Sequence, residues 1–281
     1  MSPVKIVTDS SSDLPAHIVA ELGITVVPLI VRFGDEVFYD GVMPVEDFWA
    51  RVMSGQHPAT SQPAVGTFQE VFERLTADGS SVLCITITSK HSGTYNSAWS
   101  AARMVKGHVE VFDSLSLSWG LGFQVWEAAK LAQQGAEIPD IVAHLEGLRN
   151  RSHVYILLDT MEFLRRGGRA DGVFPIVDRI ARALRIKIIL VLVEGALQLL
   201  GPVRTYDKGL ARLRDEILRL GPLAHLAVMH TRRPDQAIAL ADELASLTGI
   251  PRDEIYVSET GAALSTHGGP GVMGVIGITK D

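Results

Sequence analysis

Residues 81–106, SSVLCITITSKHSGTYNSAWSAARMVK, change periodicity within five positions. Val82, Leu83, Ile85 and Ile87 form a short, apolar, β-branched run, which predicts a mostly buried strand. Ser89 to Gly93 break the run, and from Thr94 onward Tyr95, Ala98, Ala102 and Val105 recur at helical spacing. The same order of strand, polar turn and helix opens the chain: Val4–Thr8, then Asp9–Asp13, then Pro15–Leu22. Such alternation calls for a parallel sheet with helices on both faces. Sheets of that kind take ligands beyond the C-terminal ends of their strands, where both polar turns fall.

The rest of the first half keeps the pattern. Ile24–Phe33 is β-rich and turns at Gly34-Asp35-Glu36 into Val37–Tyr39. Val45–Met53 reads as a helix, His57–Pro63 as a loop and Val65–Ala77 as an amphipathic helix. Val109–Asp113 is a strand. Ser114–Gln134 reads as one long helix, in which Gly120 and Gly122 cost stability. Close approach of another element or of a ligand would compensate. Ile138–Arg149 is a helix and Val154–Leu158 a strand. The first domain is therefore drawn as 1–158.

The second half, 159–281, reads as an α+β domain with a mainly antiparallel sheet. Met161–Gly172 carries three arginines and three glycines. Phe174–Leu184 is a helix. Ile186–Glu194 and Ala196–Leu200 form a hairpin about Glu194-Gly195. Helices at Thr205–Leu220 and Pro234–Leu247 alternate with strands at Leu223–Met229 and Glu254–Ser258. The loop Thr266–Gly271 precedes a closing strand, Val272–Thr279.

With 281 residues, 47% hydrophobic and 21% charged, the chain can bury a sizeable core. A net charge of −6 argues against nucleic acid as a partner. Cys84, the only cysteine, is expected to be a buried structural thiol. Lys5 and Asp9 interrupt the first apolar run, so no secretory signal is read there. No apolar run is long enough for a membrane span, which makes the cytoplasm the expected location.

Gly269-x-Gly271-x-x-Gly274 fits the dinucleotide pattern, but a strand follows it where that fingerprint needs a helix. There is no GxxxxGK[ST] and no GxSxG. The nine histidines show no metal-binding spacing, and no cofactor is expected. Small hydroxyls and one glycine-framed histidine remain: Thr60, Ser61, Ser92 and His267. Ser92 stands where a strand-to-helix turn leaves backbone N–H groups free for an anion. The plainer reading is a helix cap.

VTDSSSDLP, TSQPAVGTF, ITITSKHSGTYNSA, VFDSLSLSWGLG, LDTMEFLRRGGRADG and HGGPGVMGV occur in that order. Together they resemble the DegV family of bacterial fatty-acid-binding proteins, which includes carrier subunits of fatty acid kinase. The resemblance implies an N-terminal α/β sandwich, a C-terminal domain on an antiparallel sheet, and a long-chain fatty acid between them. It implies that Ser92 with Gly93, Thr60 or Ser61, and His267 hold the carboxylate. It further implies presentation of that carboxylate to a separate ATP-dependent kinase for acyl-phosphate formation, with Arg166, Arg169 and Arg204 as docking candidates. Transient membrane contact is compatible with that role. The apolar start of the helix after Asp113 is the expected wall for the acyl tail, with Phe33 and Phe163 as further candidates.

Two other functions fit the same residues. Ser92 and His267 would serve an esterase or thioesterase, with Asp9 or Asp113 orienting the histidine. A structural or regulatory module would hold no lipid.

Overall fold

The computed structural model describes residues 3–169 and 186–280. The chain divides into two compact units: Met1–Asn150 with Gly261–Ala263, and Arg151–Thr260 with Leu264–Asp281.

In the first unit β1 (Val4–Asp9), β2 (Thr25–Val27), β3 (Ile30–Phe33), β4 (Glu36–Tyr39), β5 (Pro58–Ser61), β6 (Ser81–Thr86) and β7 (Val109–Asp113) form two sheets. One has the order β2-β1-β6-β7 and is parallel throughout, as the alternation requires. Its helices are α1 (Ala16–Glu21), α2 (Val45–Met53), α3 (Val65–Thr76), α4 (Thr94–Ala102), α5 (Trp119–Gln133) and α6 (Ile138–Asn150). On one face Val7, Val82 and Cys84 meet Phe68 and Phe72 of α3 and Ala98 and Ala101 of α4. Each phenylalanine buried there contributes roughly 1.5–3 kcal/mol. Helix α5 packs on β1 and β6, and strand alternation turns Ile6, Leu83 and Ile85 to the face opposite Val7 and Cys84. Cys84 is buried as expected, and desolvation holds its thiol well above the ordinary range.

The second sheet, β4-β3-β5, corrects one expectation. The stretch read as a loop, His57–Pro63, contains β5, which pairs antiparallel with β3 through Val31↔Thr60 and Ile30↔Ser61. Pro58 is its first residue and Pro63 lies beyond its end, positions where a strand tolerates proline.

The long helix after β7 is also shorter than its composition suggested. It starts at Trp119, because Leu115 and Ser118 adopt left-handed φ values of 48° and 49°. Side-chain bonds hold this non-helical start: Leu115 N–H donates to Asp113 Oδ1 (3.0 Å) and Ser116 N–H to Ser114 Oγ (3.0 Å). Trp119, Leu121, Phe123 and Val125 are wholly buried. Gly122 admits the Ser12 carbonyl, which would lie 2.7 Å from any β-carbon there. The compensation for that glycine is another element of the chain.

The second unit holds one sheet, built from β8 (Ser152–Leu158), β9 (Lys187–Val193), β10 (Ala196–Val203), β11 (Leu223–His230), β12 (Ile255–Glu259) and β13 (Met273–Thr279). Its order is β10-β9-β8-β13-β11-β12, antiparallel except between β11 and β12. The junction between the units thus precedes β8 rather than following it at residue 158: β8 pairs antiparallel with β13 and β9. Glu194 and Gly195 turn the β9–β10 hairpin with φ of 48° and 80°, as a two-residue hairpin turn demands. Helices Tyr206–Arg219 and Pro234–Thr248 bury Leu213, Ile217, Leu240 and Leu244 in one core with Leu157, Leu226 and Val275. The helix expected at Phe174–Leu184 lies outside the described residues. No helix among the described residues is long and apolar enough to cross a membrane.

Candidate functional site

The turn between β6 and α4 is held at every amide from Ile87 to His91. Ile87 N–H donates to Asp9 Oδ2 (2.7 Å) and Thr88 N–H to the Ser116 carbonyl (2.9 Å). Ser89 N–H reaches both oxygens of Asp113 (3.2 and 3.3 Å). Lys90 and His91 donate to the Thr88 hydroxyl and carbonyl. Strand-end carboxylates therefore fix the path into Ser92. Asp9 and Asp113, weighed above as partners of a catalytic histidine, serve this backbone role.

The pattern stops at Ser92. Its Oγ lies 2.8 Å from Thr94 Oγ1 and accepts from Thr94 N–H (3.3 Å). The N-cap position itself falls to Gly93, which has no side chain to cap with, so Ser92 is not the cap residue but stands one position before it. The Ser92 and Gly93 N–H groups donate to no acceptor among the described residues. Tyr95 and Asn96 lie in the first turn of α4, where helix geometry supplies no carbonyl for the N–H. Partly buried hydroxyls of Ser92 and buried Thr94 thus stand at a helix start rich in unclaimed donors. An anion is the natural complement.

Gln62 belongs to the same place and was not singled out from the sequence. Its amide carbon and nitrogen lie 2.9 Å from where a Gly93 β-carbon would be. The TSQP and SGTY segments therefore touch through Gln62 and Gly93. Thr60 and Ser61 are consecutive on β5, so they face opposite sides of the sheet.

Asp9, Asp13 and Asp40 form a second cluster in this unit. Asp9 accepts from Ser11 N–H (3.0 Å) and the Ser11 hydroxyl. Burial pushes its carboxyl up to about 6, against those hydrogen bonds. Burial pushes Asp13 up to about 7 and raises Asp40, and the three repel one another.

His267 belongs to the second unit. It lies in the last turn of helix Ala262–Gly268, not on the loop expected from its glycine neighbours. Those glycines serve packing. A β-carbon at Gly167 would collide with the His267 ring, one at Gly269 with Phe163, and one at Gly271 with Asp159. Thr231 anchors the segment, donating through Oγ1 to the Gly269 carbonyl (2.7 Å) and accepting from Val272 N–H (2.8 Å).

Of the expected docking arginines, Arg166 pairs with Glu162 at 2.6 Å and Arg169 donates to the Gly167 carbonyl at 2.6 Å. Arg204 is exposed, with no ion pair among the described residues. An open groove of about 510 Å³ runs beside Phe38, Val42, Pro44 and Ala50. None of the expected headgroup residues lines it.

A family model described as "Uncharacterised protein, DegV family" matches residues 3–280. A DegV domain-containing protein of Halalkalibacterium halodurans is 37% identical over 284 residues, covering 98% of each chain. The structure of a DegV family protein from Thermus thermophilus, described by its fatty acid binding, superposes with a TM-score of 0.90 at 31% identity. It covers 99% of this chain and 100% of its own. DegV of Bacillus subtilis, described as a fatty acid binding protein, gives 0.88 at 29% identity, with 100% of both chains covered.

Proposed function

Since the chain belongs to the DegV family, we propose that it binds a long-chain fatty acid and takes the acid headgroup at the Ser92 turn. One observation carries this reading: the Ser92 and Gly93 N–H groups and the first turn of α4 present donors that the described protein does not use. A carboxylate removed from water needs several such donors. Ser92 and Thr94 hydroxyls add to them, and His267 is the further donor that the family motif implies. Held by dipoles and hydroxyls instead of a fixed cation, the headgroup stays releasable and open to chemistry. The DegV proteins of Thermus thermophilus and Bacillus subtilis, both described as binding fatty acids, support the ligand class.

The next step belongs to a separate ATP-dependent kinase. A carboxylate oxygen of the bound acid attacks the γ-phosphorus of ATP, ADP leaves, and an acyl phosphate forms. The sequence has no nucleotide motif of its own, in keeping with an ATP site on another chain. Arg169 and Arg204 are the docking residues in this reading, with Arg166 beside them.

The test is a titration of a long-chain acid and the alcohol of equal length against wild type and Ser92→Ala. A hydrogen bond to a charged group contributes roughly 1.5–3 kcal/mol. Ser92→Ala should weaken acid binding by about one to two orders of magnitude and leave alcohol binding nearly unchanged. Equal acid binding by both proteins would overturn the headgroup assignment. Steady hydrolysis of acyl esters by wild type, lost in the mutant, would favour an esterase.

A further inference from the structure

The smaller sheet of the first unit ends on β4, and no strand among the described residues pairs with its outer edge. Asp40 N–H donates to the Leu29 carbonyl at 2.8 Å, and the register continues through Val31↔Phe38 and Phe33↔Glu36. Hydrogen-bonding groups alternate in direction along an antiparallel strand. Those of Glu36 and Phe38 therefore face β3, and those of Val37 and Tyr39 face outward. The Tyr39 carbonyl takes Val42 N–H at 3.1 Å. Val37 N–H, Val37 C=O and Tyr39 N–H are left along an edge with no strand to pair.

Folded proteins guard such an edge with proline, lysine, a bulge or a covering element. β4 reads Glu-Val-Phe-Tyr and has neither residue, and its register with β3 runs without a bulge. Val37 and Tyr39 are 51% and 53% exposed. Residues of this kind favour strand pairing.

On its other face β4 sends Phe38 to the open groove of about 510 Å³, whose far wall includes Asp47, Ala50 and Arg51 of α2. Val42, between them, is 74% exposed. The Arg51 charge is already engaged: its guanidinium lies 5.4 and 5.0 Å from the Phe33 and Phe38 ring centroids and pairs with Glu36 at 3.0 Å. Glu46 and Asp47 open α2, and Asp35 stands in the turn before β4. Arg32 lies opposite Val37 in the register and shares its face, away from the groove. The groove side is therefore apolar with an acidic rim. Such a rim repels its own copy and an anionic lipid surface. It complements a basic segment.

We propose that the β4 edge and its groove dock an extended segment of a partner protein that carries lysine or arginine among apolar residues and adds to the sheet as a further strand. Every second side chain of that segment falls on the groove side, and the others fall beside Val37 and Tyr39. A lysine over the groove lays its aliphatic stem along Phe38 and Val42 and brings its ammonium to Asp47. β-Branched residues on the opposite side pack against Val37 and Tyr39. The inference is independent of the headgroup reading, since none of the headgroup residues lines this groove.

The probe is a fluorescein-labelled, terminally blocked peptide of alternating lysine and valine, about seven residues long, with glutamate in place of lysine as the control. Fluorescence anisotropy should show saturable binding of the lysine peptide, at least about tenfold tighter than that of the glutamate peptide. Val37→Pro removes an outward N–H at an edge position, where a strand tolerates proline. It should abolish peptide binding and leave the urea midpoint little changed. Should that variant not fold, Asp47→Lys, at an exposed position of α2, decides: it should remove the preference for the lysine peptide. Equal binding of the two peptides, or wild-type behaviour of the folded variants, overturns the proposal. Sedimentation that shows wild type dimerising and Val37→Pro monomeric would give the edge to a second copy. Flotation of wild type, but not Val37→Pro, with phosphatidylglycerol vesicles would give it to a membrane. Displacement of the peptide by a long-chain acid would make the groove part of the acyl site. Each of these three results overturns the partner segment.

Discussion

Asp13 and Ser118 lie 105 positions apart, both with left-handed backbone (φ 52° and 49°), and Ser118 Oγ donates to Asp13 Oδ2 at 2.6 Å. Ser118 N–H also donates to the Ser11 carbonyl at 2.8 Å. Two residues in a sparsely populated conformation thus hold each other, the turn after β1 against the start of α5. Backbone strain of this kind persists where surrounding contacts over-determine it. Here it aims Asp13 at Gly261 while leaving its second oxygen for Ser118.

The Asp13 carboxyl makes stability depend on pH. Burial lifts its titration from the ordinary 3.8 to about 7. Between those values the folded chain keeps a proton that the unfolded chain has lost. The associated stability is therefore fully present below about pH 4 and is lost as pH rises through about 7. Asp9, lifted to about 6, acts in the same direction over a narrower window. The urea midpoint of wild type should fall between about pH 5 and about pH 8 more steeply than that of Asp13→Asn. An unchanged slope in the mutant would show that Asp13 titrates normally.

Gly122→Ala sets two effects against each other. Alanine in a helix interior gains about 1 kcal/mol over glycine. Its β-carbon would lie 2.7 Å from the Ser12 carbonyl and 3.3 Å from Leu14 Cδ2. Ser12 is backbone in a turn tied down on both sides, so it cannot yield as a side chain tip would. Overpacking of this kind costs about 1–3 kcal/mol, and the net should be a loss of about 1 kcal/mol or more. Urea denaturation measures it, and a mutant as stable as wild type would mean the turn moves freely.

These relationships divide by how local they are. Strand, turn and helix around Ser92 could be read from the sequence because periodicity there is set by neighbours. The strand β5 could not, since Pro58 and Pro63 look like loop punctuation until β3 supplies a partner for Ala59, Thr60 and Ser61. The start of α5 departs from the helical pattern that Leu115 and Leu117 fit, because the Ser114 and Ser118 hydroxyls divert the backbone with their own hydrogen bonds. β8 looked like another strand of the parallel sheet, because an apolar run does not show the direction of its neighbours. In the sequence Asp13 was visible only as the end of the polar turn Asp9–Asp13. A carboxylate followed by Leu-Pro gives no sign that its acceptor serves Gly261. His267 was singled out for its glycine neighbours, and of these Gly269 and Gly271 make room for Phe163 and Asp159, while Gly167, distant in sequence, makes room for the histidine ring.

Thr60 and Ser61 should not be equivalent. A residue before proline favours extended backbone, and if Gln62 continues the alternation of β5 (Pro58–Ser61), Thr60 and Gln62 share one side and Ser61 takes the other. Gln62 rests against Gly93, which places Thr60 on the side of the Ser92 turn. Thr60→Val should weaken acid binding about tenfold, and Ser61→Ala should leave it within about twofold. Calorimetric titration distinguishes them, and the reverse order would reassign the contact to Ser61.

Arg204 offers the cleaner probe of kinase docking. Arg169 holds the Gly167 carbonyl, and Gly167 packs against His267, so its removal disturbs the surroundings of a proposed headgroup residue as well as a surface charge. Arg204 is exposed and has no ion pair among the described residues to lose. Its guanidinium stays charged at any working pH, and pairing with an acidic surface or a nucleotide phosphate would be screened over about 10 Å at 0.1 M salt. Arg204→Ala should keep acid binding within about twofold of wild type while slowing acyl-phosphate formation by a cognate kinase about tenfold or more. Added salt should slow the wild-type reaction more than the mutant one. Arg169→Ala combined with Arg204→Ala should abolish turnover. Normal acyl-phosphate formation by the double variant, with acid still bound, would remove both arginines from the docking surface.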